Sequence, residues 1–217
     1  MKVGTDAVLL GSLINMRSSE NILDIGCGSG IISLIAAQKC QANIVGIDID
    51  EASIIQANEN FELSKWKDRL KAERISLQDA RDQFHTCFDL IISNPPFFVN
   101  SMKSPLEKRN LARHNDSLNY FDLLSSVKTL LSPMGKLALI LPAIEGEEFI
   151  QQATKHDFYL ERKIFVQPKP SKKANRLVLE FKLQACDYSS EIYVIREEND
   201  EYTQAYRQLT KDFYLAF

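Results

Sequence analysis

Residues 24–30 read Asp24-Ile25-Gly26-Cys27-Gly28-Ser29-Gly30, a turn with glycine at every second position, and it follows directly on the apolar run Asn21 to Ile25. Glycines let a backbone turn sharply and approach a ligand closely, and Ile31 to Lys39 then carries apolar residues at helical spacing. The stretch reads as strand, turn and helix, with the free N–H groups and positive dipole end of the helix facing whatever occupies the turn. Asn43 to Ile47 repeats the strand pattern, and Glu51 to Leu63 predicts a helix with Asp50 placed to cap it, which completes a βαβ unit. Further on, Phe88 to Ile92, Lys136 to Leu141 and Phe158 to Val166 are expected strands, alternating with helices near Phe121 to Leu131 and Glu145 to Lys155. Such alternation predicts an α/β fold, a doubly wound and mostly parallel sheet covered on both faces. The tail breaks the rhythm. Arg176 to Leu183 and Glu191 to Arg196 read as strands of an antiparallel finish, joined by a polar loop containing Ser189 and Ser190, and Tyr202 to Tyr214 as a helix docked on the sheet.

A chain of 217 residues with 45% hydrophobic composition can bury a full core and suits one domain, residues 1–217. It has no apolar run of the roughly 20 residues that span a bilayer and no secretory leader pattern, so a soluble, cytoplasmic protein is expected. Cys27, Cys40, Cys87 and Cys186 are far apart and only three histidines are present, which argues against a zinc cluster or a disulfide framework. Reduced cysteines are expected, three of them as core filler. A net charge of −3 argues against nucleic-acid binding over the whole surface. Two local basic runs stand out: Lys103, Lys108, Arg109, Arg113 and His114, then Lys163, Lys169, Lys172, Lys173 and Arg176 with no acid between them. Both follow strand-like segments and so can flank one cleft. The first lies in residues 97–118, a long loop rich in Ser, Asn, Lys and Arg, and long loops in compact domains often carry function.

About 20 residues beyond the glycines, Asp48 ends the second strand, where a carboxylate can accept hydrogen bonds from both hydroxyls of a ribose. Together the turn and the acid mark a nucleoside cofactor. The spacing Gly-x-Gly-x-Gly, rather than Gly-x-Gly-x-x-Gly, leans away from a nicotinamide dinucleotide. Asp24, Gly26, Gly28 and Gly30 followed by Asp48 resemble the first two motifs of class I S-adenosylmethionine-dependent methyltransferases. The resemblance implies the Rossmann-like sheet of that class and S-adenosylmethionine as cofactor. It also places Asp79 and Ala80, after the strand-like Lys71 to Leu77, where an acid meets the adenine amino group; by itself Asp79 reads equally as a helix cap.

Ser93-Asn94-Pro95-Pro96-Phe97 then gains meaning. Alone it is a stiff turn, because two prolines fix their own φ and push the preceding residue toward an extended conformation. Methyl transfer from a sulfonium, however, is an in-line displacement that needs the lone pair of an amine localised and aimed. The Asn94 side-chain oxygen and the Pro95 carbonyl can both accept from an exocyclic amine, favouring a pyramidal nitrogen, and Pro95 and Pro96 hold those acceptors rigid. Phe97 can stack on a base, a contact worth on the order of 1–3 kcal/mol. A base within structured nucleic acid must first be flipped out. The order of motifs over residues 1–142 resembles the amino-methyltransferases, in which Asn-Pro-Pro-aromatic follows the fourth strand. Asn94, Pro95, Pro96 and Phe97 are therefore the expected catalytic residues, with Asn94 also beside the cofactor.

The opening Lys2-Val3-Gly4-Thr5-Asp6-Ala7-Val8-Leu9-Leu10-Gly11 and the ending Tyr202-Thr203 through Leu209-Thr210-Lys211-Asp212-Phe213-Tyr214-Leu215 extend the resemblance to bacterial valine-tRNA adenine-N6 methyltransferases. That family implies N6-methylation of the adenosine 3′ of the anticodon in a valine tRNA, with Gly4 and Thr5 beside the methionine end of the cofactor. It usually has a further stretch before the Lys-Val-Gly-Thr segment, which here starts directly after Met1. The tRNA phosphates are expected on Lys103, Lys108, Arg109 and Arg113 beside the pocket and on Lys169, Lys172, Lys173 and Arg176 at its rim. A monomer that needs no metal and touches no membrane is expected. Other readings stay open on these residues: methylation of a guanine N2 amine in ribosomal RNA or of a protein glutamine, a non-catalytic cofactor- or RNA-binding module, and a nicotinamide-dependent reductase. Tyrosine is favoured at the last motif position of the glutamine enzymes, so Phe97 points to a nucleobase.

Overall fold

The computed structural model describes residues 4–84, 87–95 and 120–214. In chain order the elements are α1 (Thr5–Leu13), β1 (Asn21–Ile25), α2 (Ile31–Lys39), β2 (Asn43–Asp48), α3 (Glu51–Glu62), β3 (Leu70–Arg74), α4 (Leu77–Gln83) and β4 (Phe88–Ser93). There follow α5 (Tyr120–Leu130), β5 (Leu131–Pro142), α6 (Ala143–Lys155), β6 (Tyr159–Gln167), β7 (Arg176–Lys182), β8 (Ser189–Val194) and α7 (Gln204–Thr210). The strands form one sheet in the order β3-β2-β1-β4-β5-β7-β6-β8. β3, β2, β1, β4 and β5 run parallel, and β7 is antiparallel to both of its neighbours.

Alternation along the strands divides the core into two layers, since successive side chains point to opposite faces. Ile22, Leu90, Ile92, Ala138, Ile140 and Val178 pack on one face with residues of α1, α2 and α3 and with Tyr206 of α7. Leu23, Ile25, Ile91, Leu137, Leu139 and Leu179 pack on the other with α4, α5 and α6. The crossovers change face between α3 and α4, so β1 and β4, neighbours in the sheet, lead to helices on opposite sides. Doubly wound sheets bind ligands outside the carboxyl ends of the strands at such a switch point. Here the glycine turn follows β1 and Asn94 follows β4.

The antiparallel finish is present with different partners. The hairpin is β6 with β7, while β8 lies parallel to β6 on its far side, and Ser189 and Ser190 belong to that strand rather than to a loop. β7 already has β5 on one flank and β6 on the other, so residues 189–194 cannot pair with it and instead take the outer edge of β6, at the opposite side of the sheet from β3. The strand before Asp79 ends at Arg74, where Ser76 caps α4. Cys27 and Cys40 are buried as core filler, but Cys87 is exposed and Cys186 half-buried, two core cysteines where three were expected.

Candidate active site

The turn after β1 is held from three directions. The Gly26 and Cys27 N–H groups donate to the Ile47 carbonyl at the end of β2. Gly28 N–H donates to Asp48 Oδ2 at 3.0 Å, and Asn60 of α3 donates its side-chain N–H to the Ser29 carbonyl. Gly26, Gly28 and Gly30 all have positive φ, the region L side chains rarely adopt. A Cβ on Gly30 would also run into the Phe61 ring, whereas one on Gly26 would meet no protein atom within 4 Å. Gly30 is thus demanded by packing and Gly26 opens onto ligand space.

Two acids stand at this turn. Asp48, half-buried, uses Oδ2 on Gly28 and Oδ1 on the Asp50 N–H, and a carboxylate has about four lone-pair sites, so acceptor capacity for ribose hydroxyls is left over. Asp24 is fully buried; its Oδ2 accepts from Ser33 Oγ at 2.7 Å, while Oδ1 has no partner among the described residues. Burial pushes the Asp24 carboxyl up to about 6, against the lowering effect of the Ser33 hydrogen bond. An orphaned buried carboxylate oxygen beside an open glycine turn fits a ligand that brings a donor or a positive charge.

Beyond Asp48, a cavity of about 370 Å³ is lined by Ile49, Glu73, Arg74, Ile75, Ser76, Asp79 and Gln83. Ile49 is 54% exposed, a large apolar side chain beside an acid, which suits the face of a planar ring. Asp79 reaches this cavity and is at the same time part of the helix start, accepting from Ser76 Oγ at 2.7 Å while its N–H donates back to that oxygen. Ala80 does not reach it; its side chain is in the core.

On the opposite face, a cavity of about 550 Å³ is lined by Gly4, Thr5, Asp6, Leu9, Asn94, Pro95, Val166, Asn175, Arg176 and Ile195. This brings the N-terminal segment and the start of the Asn-Pro-Pro run together, residues some 90 apart in the chain. Buried Ser93 fastens the place: its Oγ donates to the Ile25 carbonyl at 3.0 Å, tying the end of β4 to the end of β1. Asn94 is half-buried and Pro95 buried. Pro96, Phe97, Lys103, Lys108, Arg109, Arg113 and His114 lie outside the described residues. In the second basic run, Lys169 pairs with Asp200 and Arg176 with Asp6, each at 2.8 Å, while Lys163 is nearly buried against Glu147 and the Phe165 ring. Lys172 and Lys173 are exposed and form no ion pair among the described residues. Sequence reasoning missed Ser93, Asn60, Ile49 and Asp6 as parts of the site. Only Ile49, apolar directly after Asp48, carried a signal that could be read without knowing which strands are neighbours.

A glycine turn at the switch point of a doubly wound sheet, an acid ending the second strand and an Asn-Pro-Pro run after the fourth define a class I S-adenosylmethionine-dependent methyltransferase. Residues 2–142 match the family model described as methyltransferase small domain. A tRNA1(Val) (adenine(37)-N6)-methyltransferase of Phocaeicola vulgatus is 42% identical, over 99% of this chain and 91% of that protein. Among solved structures, a predicted O-methyltransferase of Agrobacterium tumefaciens shares the fold with a TM-score of 0.75 at 19% identity, over 95% of this chain and 96% of the other. A glycopeptide N-methyltransferase solved with S-adenosylmethionine shares it with a TM-score of 0.62 at 10% identity, over 85% and 90% of the two chains. The chain belongs to the methyltransferase small-domain family and, within it, to the tRNA1(Val) (adenine(37)-N6)-methyltransferases.

Proposed function

We propose that this protein methylates N6 of adenosine 37 in tRNA1(Val), with Asn94 and Pro95 gripping the exocyclic amine. The observation that carries the reading is that the cavity bearing Asn94 and Pro95 adjoins the switch point where the glycine turn opens. The relatives named for this reaction, matched across nearly the full chain, support it. S-adenosylmethionine, when bound, supplies an electrophilic methyl group on a sulfonium. The chain would hold it through the turn at Gly26, Gly28 and Gly30, through Asp48 toward the ribose, through Ile49 and Asp79 toward the base, and through Asp24, Gly4 and Thr5 toward the cationic end.

The protein's own contribution to the transfer is orientation. The Asn94 side-chain oxygen and the Pro95 carbonyl accept from the two amine hydrogens, which draws the nitrogen lone pair out of conjugation and aims it. Pro95 is buried, which helps hold its carbonyl in place before substrate arrives. Phe97 would stack on the base, and Pro96 would stiffen the turn. The amine proton can leave to water after transfer, so no general base is required. The test is transfer of labelled methyl to purified valine tRNA followed by nucleoside analysis, with Asn94→Ala alongside. N6-methyladenosine in the parent, a loss of at least about a hundredfold in kcat for the variant and unchanged S-adenosylhomocysteine affinity are expected. Label in ribosomal RNA or in protein glutamine instead would overturn the substrate, and equal loss of cofactor binding would make Asn94 a structural residue.

A further inference from the structure

The cavity at Asn94 has two walls that come from distant parts of the chain. Gly4, Thr5, Asp6 and Leu9 of the α1 start form one, and Val166, Asn175 and Arg176 of the β6–β7 hairpin form the other. No strand pairing joins α1 to the sheet. Its far end is gripped by Lys39, which donates to the carbonyls of Gly11, Ser12 and Ile14. At its near end Arg176 Nε donates to Asp6 Oδ2 at 2.8 Å, a contact across 170 residues with the two side chains 27% and 26% exposed. Arg176 is further fixed by its Nη1 donating to the Asn175 carbonyl at 3.0 Å. A guanidinium with two directed bonds to its own protein is poorly placed to turn outward to a phosphate.

We propose that the Asp6–Arg176 ion pair is a positioning clamp that sets the spacing of the two walls beside Asn94, so that Arg176 serves the reaction within the protein rather than as a contact to RNA. The proposal rests on the methyl-transfer reading of that cavity. Most exposed ion pairs contribute little, but this one is three-quarters shielded and bridges two elements that are far apart in the chain. Loosening it lets α1 drift from β7, widening the cavity and spoiling the aim of the amine.

A double-mutant cycle of Asp6→Asn, Arg176→Ala and the pair tests this on the full chain, with Arg176→Lys as the rescue variant. Four quantities are read: kcat with valine tRNA, S-adenosylhomocysteine affinity, the salt dependence of tRNA binding, and amide exchange in the first turn of α1. The clamp predicts that each single change lowers kcat about tenfold and that the double variant is no worse than either, as for residues acting as one unit. Amide exchange at the α1 start rises in both singles, Arg176→Lys recovers part of each effect, and the salt slope stays at the parent value. A phosphate contact predicts the opposite: Arg176→Ala reduces the salt slope by about 0.7–0.9, and Asp6→Asn leaves kcat and exchange unchanged. That result, or additive losses in the cycle, would sink the clamp. If the parent binds cofactor but does not methylate tRNA, the functional reading fails, while the exchange cycle still decides whether the two walls are coupled.

Discussion

Asp24 is the residue at which stability and function pull apart. Its folded carboxyl titrates at about 6 against an ordinary value of 3.8, because burial disfavours the charge. The folded state therefore holds this proton more tightly than the unfolded chain does. The sign follows: between about pH 4 and 6 the unfolded state loses the proton first, so this group makes folding progressively less favourable as pH rises, and the full cost remains above pH 6. Asp24→Asn should thus gain thermal stability relative to the parent as pH is raised from 4 to 7, while binding S-adenosylhomocysteine more weakly at pH 7. A melting-temperature difference that does not change with pH would show that the charge is not strained. Asp24, Gly26 and Asp48 could be singled out from sequence because backbone turning and ribose binding restrict residue type at fixed spacing. Ser93 and Asn60 could not, since a hydroxyl that ties β4 to β1, or an amide that reaches a turn from α3, has meaning only once the neighbours are known.

Among the elements, α1 depends on a device outside its own sequence. It has no basic residue in its last turn, and Lys39 of α2 supplies the missing cation, donating to three carbonyls at 2.6–2.8 Å. Lys39→Met keeps the aliphatic stem but strands those acceptors, and it should cost about 1–3 kcal/mol in denaturant unfolding. Because α1 carries a cavity wall, tRNA methylation should fall even where the variant is fully folded. An unchanged unfolding midpoint would mean that water replaces the ammonium. Strand pairing shows where sequence patterns stop being informative. Residues 176–183 and 191–196 were legible as strands from their apolar content, but that content says nothing of which edge they take. Occupancy of β7 on both sides excludes that strand as a partner, and at the edge β8 takes, Arg162 links β6 to it through Glu191.

At the scale of the whole molecule, the segments of the candidate site gather at one end of the strands: the carboxyl ends of β1, β2, β4, β5 and β6, and the start of β7, because β7 runs against both neighbours. If tRNA approaches this end, the exposed members of the second basic run that form no ion pair among the described residues, Lys172 and Lys173, are the ones expected to meet its phosphates. Changing either to alanine should reduce the slope of log binding constant against log salt by about 0.7–0.9 without altering cofactor affinity. Lys169→Ala, whose partner is Asp200, should change it less. Equal slopes in all three variants would place the phosphates elsewhere on the surface. The insertion of β7 between β5 and β6 has another consequence, one of timing during synthesis. Residues through 142 carry the cofactor turn, both acids and Asn94, yet at that length β5 ends the sheet with Leu137, Leu139 and Leu141 beside a row of unpaired backbone groups. An open apolar edge of this kind invites pairing with other chains. The emerging polypeptide should therefore be prone to aggregate once residues through 142 are out, until the strand bearing Arg176 leaves the ribosome and slots in.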